Sequence, residues 1–78
     1  MITDGPTPKW AQLAALLRER IRTLAPGELI PSEHELERDT GLARGTIRKA
    51  IAALRDEGLI VTTRGKGSYV AERAERGD

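Results

Sequence analysis

From Ser32 to Ala50 the chain reads SEHELERDTGLARGTIRKA, and this stretch leaves the rest of the molecule little choice of fold. Ser32-Glu33-His34-Glu35 fits a capping box. The Ser32 hydroxyl accepts from the backbone N–H of Glu35, and the Glu35 carboxylate accepts from the N–H of Ser32. A short helix is predicted from about Glu33 to Asp39. Leu36 is its one strong apolar anchor, so it needs neighbours to hold it. Thr40-Gly41-Leu42 follows as a tight turn, with Gly41 suited to the positive φ that ends a helix. A longer helix is predicted from about Arg44 to Glu57, burying Ile47, Ala50, Ile51 and Leu54, with Gly58 as its C-terminal cap. Leu36, Gly41, Leu42, Ile47 and Ala50 then set one buried contact per turn around a single bend, as in a helix-turn-helix.

The flanks complete the architecture. Thr7-Pro8 predicts a helix start, with a hydroxyl N-cap and proline at the first helical position. Trp10, Leu13, Ala14, Leu16, Leu17, Ile21 and Leu24 recur at the spacing of one apolar helix face. Ala25-Pro26-Gly27 ends that helix, and Glu28-Leu29-Ile30 is a minimal strand before Pro31. After Gly58 the period changes. Leu59 to Thr63 is β-branched and extended, Arg64-Gly65-Lys66-Gly67 is a turn, and Ser68 to Ala71 is a second strand, so a hairpin is predicted. The fold expected is α+β and mostly helical: a winged helix-turn-helix over residues 7–71, with a disordered lead (1–6) and a flexible charged tail (72–78).

With 78 residues the chain can hold one small domain with a thin core. It has no cysteine and a single histidine, His34, so neither a disulfide nor a metal cluster is expected. No nucleophile–base pair or phosphate-binding loop is visible, so no enzyme activity and no cofactor are expected. There is no apolar run of membrane-spanning length and no signal-peptide layout, which makes a cytoplasmic protein the default. Net charge is only +1, but it is unevenly placed. Leu42–Gly67 has six basic residues and two acidic ones, and Glu28–Gly41 has five acidic residues against one arginine. One basic surface on a near-neutral chain suits a polyanion.

In a helix-turn-helix the second helix presents its N-terminal residues to base edges in the DNA major groove. Arg44 and Arg48 are one turn apart there, and arginine can donate from its planar fork to both O6 and N7 of guanine. Gly45 and Lys49 follow around the exposed surface, and Thr46 can donate to phosphate. A pair of arginines on a helix is ordinarily a solvated face; their place at the start of the inserting helix favours the base-reading role. At the hairpin tip, Arg64, Gly65 and Lys66 put a glycine between two cations, which lets backbone approach a narrow groove while the cations meet phosphates.

The ordered segments Pro31–Leu36, Gly41–Ala50, Leu54–Ile60 and Arg64–Val70 resemble the N-terminal DNA-binding domain of the gluconate-repressor (GntR) family of bacterial transcription regulators. The resemblance covers roughly Trp10 to Ala71. It implies that Arg44 and Arg48 read bases, that Thr46 holds phosphate and that Gly65 enters the minor groove. Three positions depart from the pattern: His34, near Ser32 at the start of the shorter helix, stands where the family has an arginine that contacts DNA, so the resemblance adds Ser32 and His34 to the candidate surface, and Ala43 and Gly45 stand where serine or threonine is usual. The family usually continues into an effector-binding and dimerising domain. Within these residues no small-molecule effector site is expected. The resemblance implies a sequence-specific, double-stranded DNA-binding regulator, most often a repressor, that meets half-sites about one DNA turn apart in a palindromic operator if it pairs as a homodimer. An architectural DNA-binding or protein-interaction role for the same fold is the alternative.

Overall fold

The computed structural model describes residues 2–63 and 65–72. Met1 of the lead, Arg64 of the hairpin tip and residues 73–78 of the tail lie outside the described residues. Among the described residues three helices, α1 (Lys9–Arg22), α2 (Glu33–Thr40) and α3 (Arg44–Asp56), precede two strands, β1 (Ile60–Thr63) and β2 (Gly67–Val70).

The expected Thr7 cap on α1 does not form. Pro8 holds the N-cap position instead, at φ −56° and ψ 146°, with no side-chain cap. Its ring fixes φ but leaves ψ free to be extended, so proline can stand just outside the helix as well as just inside it. The Gln12 side chain then secures the preceding segment. Its amide nitrogen donates to the carbonyls of Thr3 and Thr7, and its oxygen accepts from the Thr3 N–H, each at 2.8 Å. Leu13, Ala14, Leu17 and Ile21 are buried on α1. Leu16, expected among them, is exposed: at about 100° per residue it lies well off the centre of that stripe. Trp10 and Leu24, at the two ends, are half-buried.

The capping box on α2 is present, with Glu35 N to Ser32 Oγ at 3.1 Å and Ser32 N to Glu35 Oε1 at 2.9 Å. The helix runs one residue beyond the expected end, because the Thr40 hydroxyl donates to the Leu36 carbonyl and accepts from the Leu42 N–H. Gly41 then turns the chain at φ 74°, its N–H donating to the Glu37 carbonyl. An L-residue in that left-handed region carries about 1–2 kcal/mol of strain. The turn sets α2 against α3, where Ile47, Ala50, Ile51 and Leu54 are buried as expected. The last helical residue is Asp56, Glu57 caps the helix, and Gly58 follows with φ 79°. A bidentate pair from Arg18 to Glu57, at 2.9 and 2.6 Å, ties α1 to this end of α3.

In the hairpin Ile60 pairs with Val70, Val61 with Tyr69, Thr62 with Ser68 and Thr63 with Gly67. Ile60 and Val70 face the core and are buried, while Val61 faces out. β1 begins one residue later than expected and ends at Thr63 as expected, while β2 lies one residue nearer the turn than expected. The expected strand at Glu28–Ile30 is a single antiparallel bridge, Leu29 to Tyr69. It uses the free edge of β2: Ile30 N donates to Ser68 O at 2.9 Å and Val70 N to Glu28 O at 2.8 Å. Pro31 has no N–H to extend the ladder. The result is a winged helix-turn-helix.

Candidate nucleic-acid interface

The first two turns of α3 carry Arg44, Gly45, Arg48 and Lys49 at the surface, with Thr46 half-buried. Ala43 offers no side-chain cap, so the first-turn N–H groups of α3 meet no capping oxygen from that residue. Both arginines are engaged by acids of α2. Arg44 Nε lies 3.0 Å from Glu37 Oε2, and its Nη2 lies 3.3 Å from Glu37 Oε1. Arg48 Nε lies 3.3 Å from Glu33 Oε1. The hydrogen bonds from Arg44 hold the Glu37 carboxyl below the usual carboxylate range, and Glu37 in turn raises the Arg44 pKa. Sequence reasoning did not find these pairs. The acidic stretch before the turn and the basic one after it hinted at attraction, but the partners are seven and fifteen residues apart across a bend.

Lys49 turns the other way. Its ammonium sits 5.1 Å from the ring centroid of Trp10 on α1, in cation–π range. It therefore stands apart from the Arg44–Arg48 row, and it covers the half-buried indole. Gly45 has no positive φ, and beyond its chain neighbours and its own helix backbone no atom of the described residues lies within 4 Å of where a Cβ would stand. Among the described residues, neither backbone conformation nor a close neighbour requires glycine at this position.

Between the start of α2, the side of α3 and the wing lies a cleft of about 450 Å³, which brings Ser32, His34, Arg44 and Gly65 together. His34 is exposed on its rim. The Ser32 hydroxyl is committed to its cap. Inside the cleft is a group that sequence reasoning missed: Arg55 Nη1 donates to Thr62 Oγ1 at 3.2 Å, and Thr62 Oγ1 is 3.0 Å from the buried Ser68 Oγ. At the wing tip, Lys66 is exposed and its N–H closes the turn onto the Thr63 carbonyl at 3.0 Å. Gly65 has φ 78°. Gly67 has φ 101°, and a Cβ there would stand 3.4 Å from Leu29 Cδ1. Arg64, named with these residues from the sequence, is outside the described residues. Among the described residues there is no cluster of metal-ligating side chains, and no helix is long and apolar enough to cross a membrane.

Known proteins share this design. Residues 9–70 match the family model of the bacterial regulatory proteins of the gntR family. The chain is 38% identical over 77 residues to the HTH-type transcriptional regulator Rv0792c of Mycobacterium tuberculosis, covering 96% of this chain and 29% of that protein. It is 39% identical over 71 residues to the histidine utilization repressor of Klebsiella aerogenes, covering 88% of this chain and 30% of that one. It therefore spans about three tenths of the length of these curated relatives. Its fold superposes with a TM-score of 0.85 and 36% identity on AraR(DBD) solved in complex with operator ORX1, covering 90% of this chain and 93% of that one. Matched by the family model over residues 9–70, well over half of its length, the chain belongs to the gntR family of bacterial regulatory proteins.

Proposed function

We propose that this chain is the DNA-contacting part of a transcription regulator, specific for a double-stranded operator, with α3 in the major groove and the wing at the adjacent minor groove. Arg44 and Arg48 read bases. Thr46 and the first-turn N–H groups of α3 hold phosphate, with His34, Arg64, Lys66 and Ser32 (through the hydroxyl proton its cap does not use) as further backbone contacts, and Gly45 and Gly65 allow close approach. Repression is the mode of action, in line with the histidine utilization repressor among its relatives.

The observation that carries this reading is the placement of two guanidinium groups at the N-terminal end of α3, with Arg44 52% and Arg48 63% exposed. It is supported by the likeness to a domain solved on its operator. The strand separating a major groove from its neighbouring minor groove would then run along the cleft between α3 and the wing. Two such domains on a palindrome would meet half-sites about 34–36 Å apart.

Selection of binding sites from random duplex DNA, followed by stoichiometry on the enriched site, tests the proposal. The expected result is a short half-site with at least one essential guanine, bound by two chains when the half-site is repeated as a palindrome. Failure to enrich any sequence would refute specific recognition.

A further inference from the structure

Arginine presents two hydrogen-bonding edges. In Arg44 the edge formed by Nε and Nη2 is taken by both oxygens of Glu37. The other edge, Nη1 with the outer hydrogen of Nη2, receives no acceptor from the described residues. Glu37 is the anchored member of the pair, 29% exposed against 52% for Arg44. It stands on α2, whose start is fixed by the capping box and whose end is fixed by Gly41. Arg48 differs, with a single 3.3 Å bond to a carboxylate that is 40% exposed.

From this geometry we infer that Glu37 is a positioning residue for base recognition: it clamps one edge of the Arg44 guanidinium so that the other edge meets guanine O6 and N7. The inference rests on the reading of α3 as the recognition helix. An unclamped arginine is a flexible cation that can swing to whichever phosphate is nearest, which adds affinity for every sequence alike. A clamped one has lost that freedom before DNA arrives, and its planar fork has one orientation to offer. The carboxylate also adds negative charge beside the DNA backbone, which disfavours any sequence that gives Arg44 no guanine. Glu37 thus sets discrimination more than affinity, and the two should move in opposite directions when it is removed.

The test uses the selected operator and a panel of duplexes with each base pair changed in turn, titrated with the unaltered chain and with Arg44→Ala, Glu37→Gln, Glu37→Ala and the Arg44→Ala/Glu37→Ala double variant. The base at which Arg44→Ala loses preference marks the position that Arg44 reads. At that position Glu37→Ala is expected to lose at least about five-fold in discrimination, the low end for one bidentate arginine–guanine pair. Glu37→Gln, which keeps the shape but not the charge, is expected to fall between Glu37→Ala and the unaltered chain. Binding to random duplex stays equal or rises, and the double variant discriminates no worse than Arg44→Ala alone. If Arg44→Ala loses its preference while both Glu37 variants keep theirs, Glu37 is an ordinary surface ion-pair partner and the inference is overturned. A parallel fall of specific and random binding in Glu37→Gln overturns it as well. If Arg44→Ala leaves every preference intact, the recognition-helix reading has failed and takes the inference with it.

Discussion

Gly45→Ala should make the domain more stable and a poorer DNA binder. Gly45 is the second residue of α3, in ordinary helical conformation, and a Cβ there would meet no atom of the described residues within 4 Å beyond its neighbours and its own helix backbone. Replacing glycine by alanine in such a place gains about 0.5–1 kcal/mol from helix propensity, towards the lower figure in a first turn. For a domain of this size that raises the melting temperature by about 2–8 °C. Gly41→Ala is the control of opposite sign. It has equally open space, but its φ of 74° costs an alanine about 1–2 kcal/mol. If the first turn of α3 lies close against DNA, the Gly45→Ala methyl group overfills that contact and weakens operator binding by about 1–3 kcal/mol, the range for an overpacked site. Thermal unfolding followed by circular dichroism reads the first effect, and fluorescence anisotropy with a labelled operator duplex reads the second. A lower melting temperature for Gly45→Ala would refute the conformational reasoning. A higher one with unchanged affinity would refute the close approach and leave Gly45 as a residue tolerated at a weakly capped helix end.

Lys66→Ala should weaken binding to operator and random duplex alike and lower the slope of log affinity against log salt by about one; an unchanged slope would remove the wing from the phosphate contacts. Leu54, with no exposed surface, should cost about 2–5 kcal/mol when cut to alanine, most of the stability of so small a domain, and a midpoint shift in urea worth under 1 kcal/mol would contradict the packing. Glu37 and Glu57 both have carboxyls lowered by hydrogen bonds from their arginines, so the stability they contribute is fully present above the ordinary carboxylate pKa of about 4.3 and is lost as pH falls through their lower folded values. Melting temperatures between pH 7 and pH 3 should show that acid limb, and it should be shallower in the Glu37→Gln/Glu57→Gln variant; identical limbs would dismiss both pairs as contributors.

Local chemistry was the legible part of the fold. Ser32 and Glu35 need only each other to form a cap, and Gly41 needs only its own backbone freedom to end α2. The stripe of α3 was readable because that helix is covered on one side by α1 and α2, which makes its period clean. Leu16 was misread because leucine at the edge of an amphipathic helix looks like leucine at its centre until the neighbouring helix shows how wide a face it covers. Thr7 was misplaced as the cap of α1 because the fixed φ of Pro8 suits the position just before a helix as well as the first one inside it. The strand at Leu29 shrank to one bridge because its length depends on how far β2 extends beside it. In the candidate site, the positions of Arg44 and Arg48 were legible from the helix start. Their carboxylate partners, the turn of Lys49 onto Trp10 and the Arg55–Thr62–Ser68 group were not. Each of these depends on where side chains from separate elements end, and sequence spacing does not encode that.

Base reading by the N-terminal turns of α3 is decided by titrating Arg44→Ala and Arg48→Ala against the selected operator and its full set of single base-pair changes at fixed salt. Each variant is predicted to lose about 1–3 kcal/mol on the operator and to become indifferent at one base pair, a different one for each, while preferences elsewhere in the site persist. Operator affinity and base preferences that match those of the unaltered chain in both variants would contradict it.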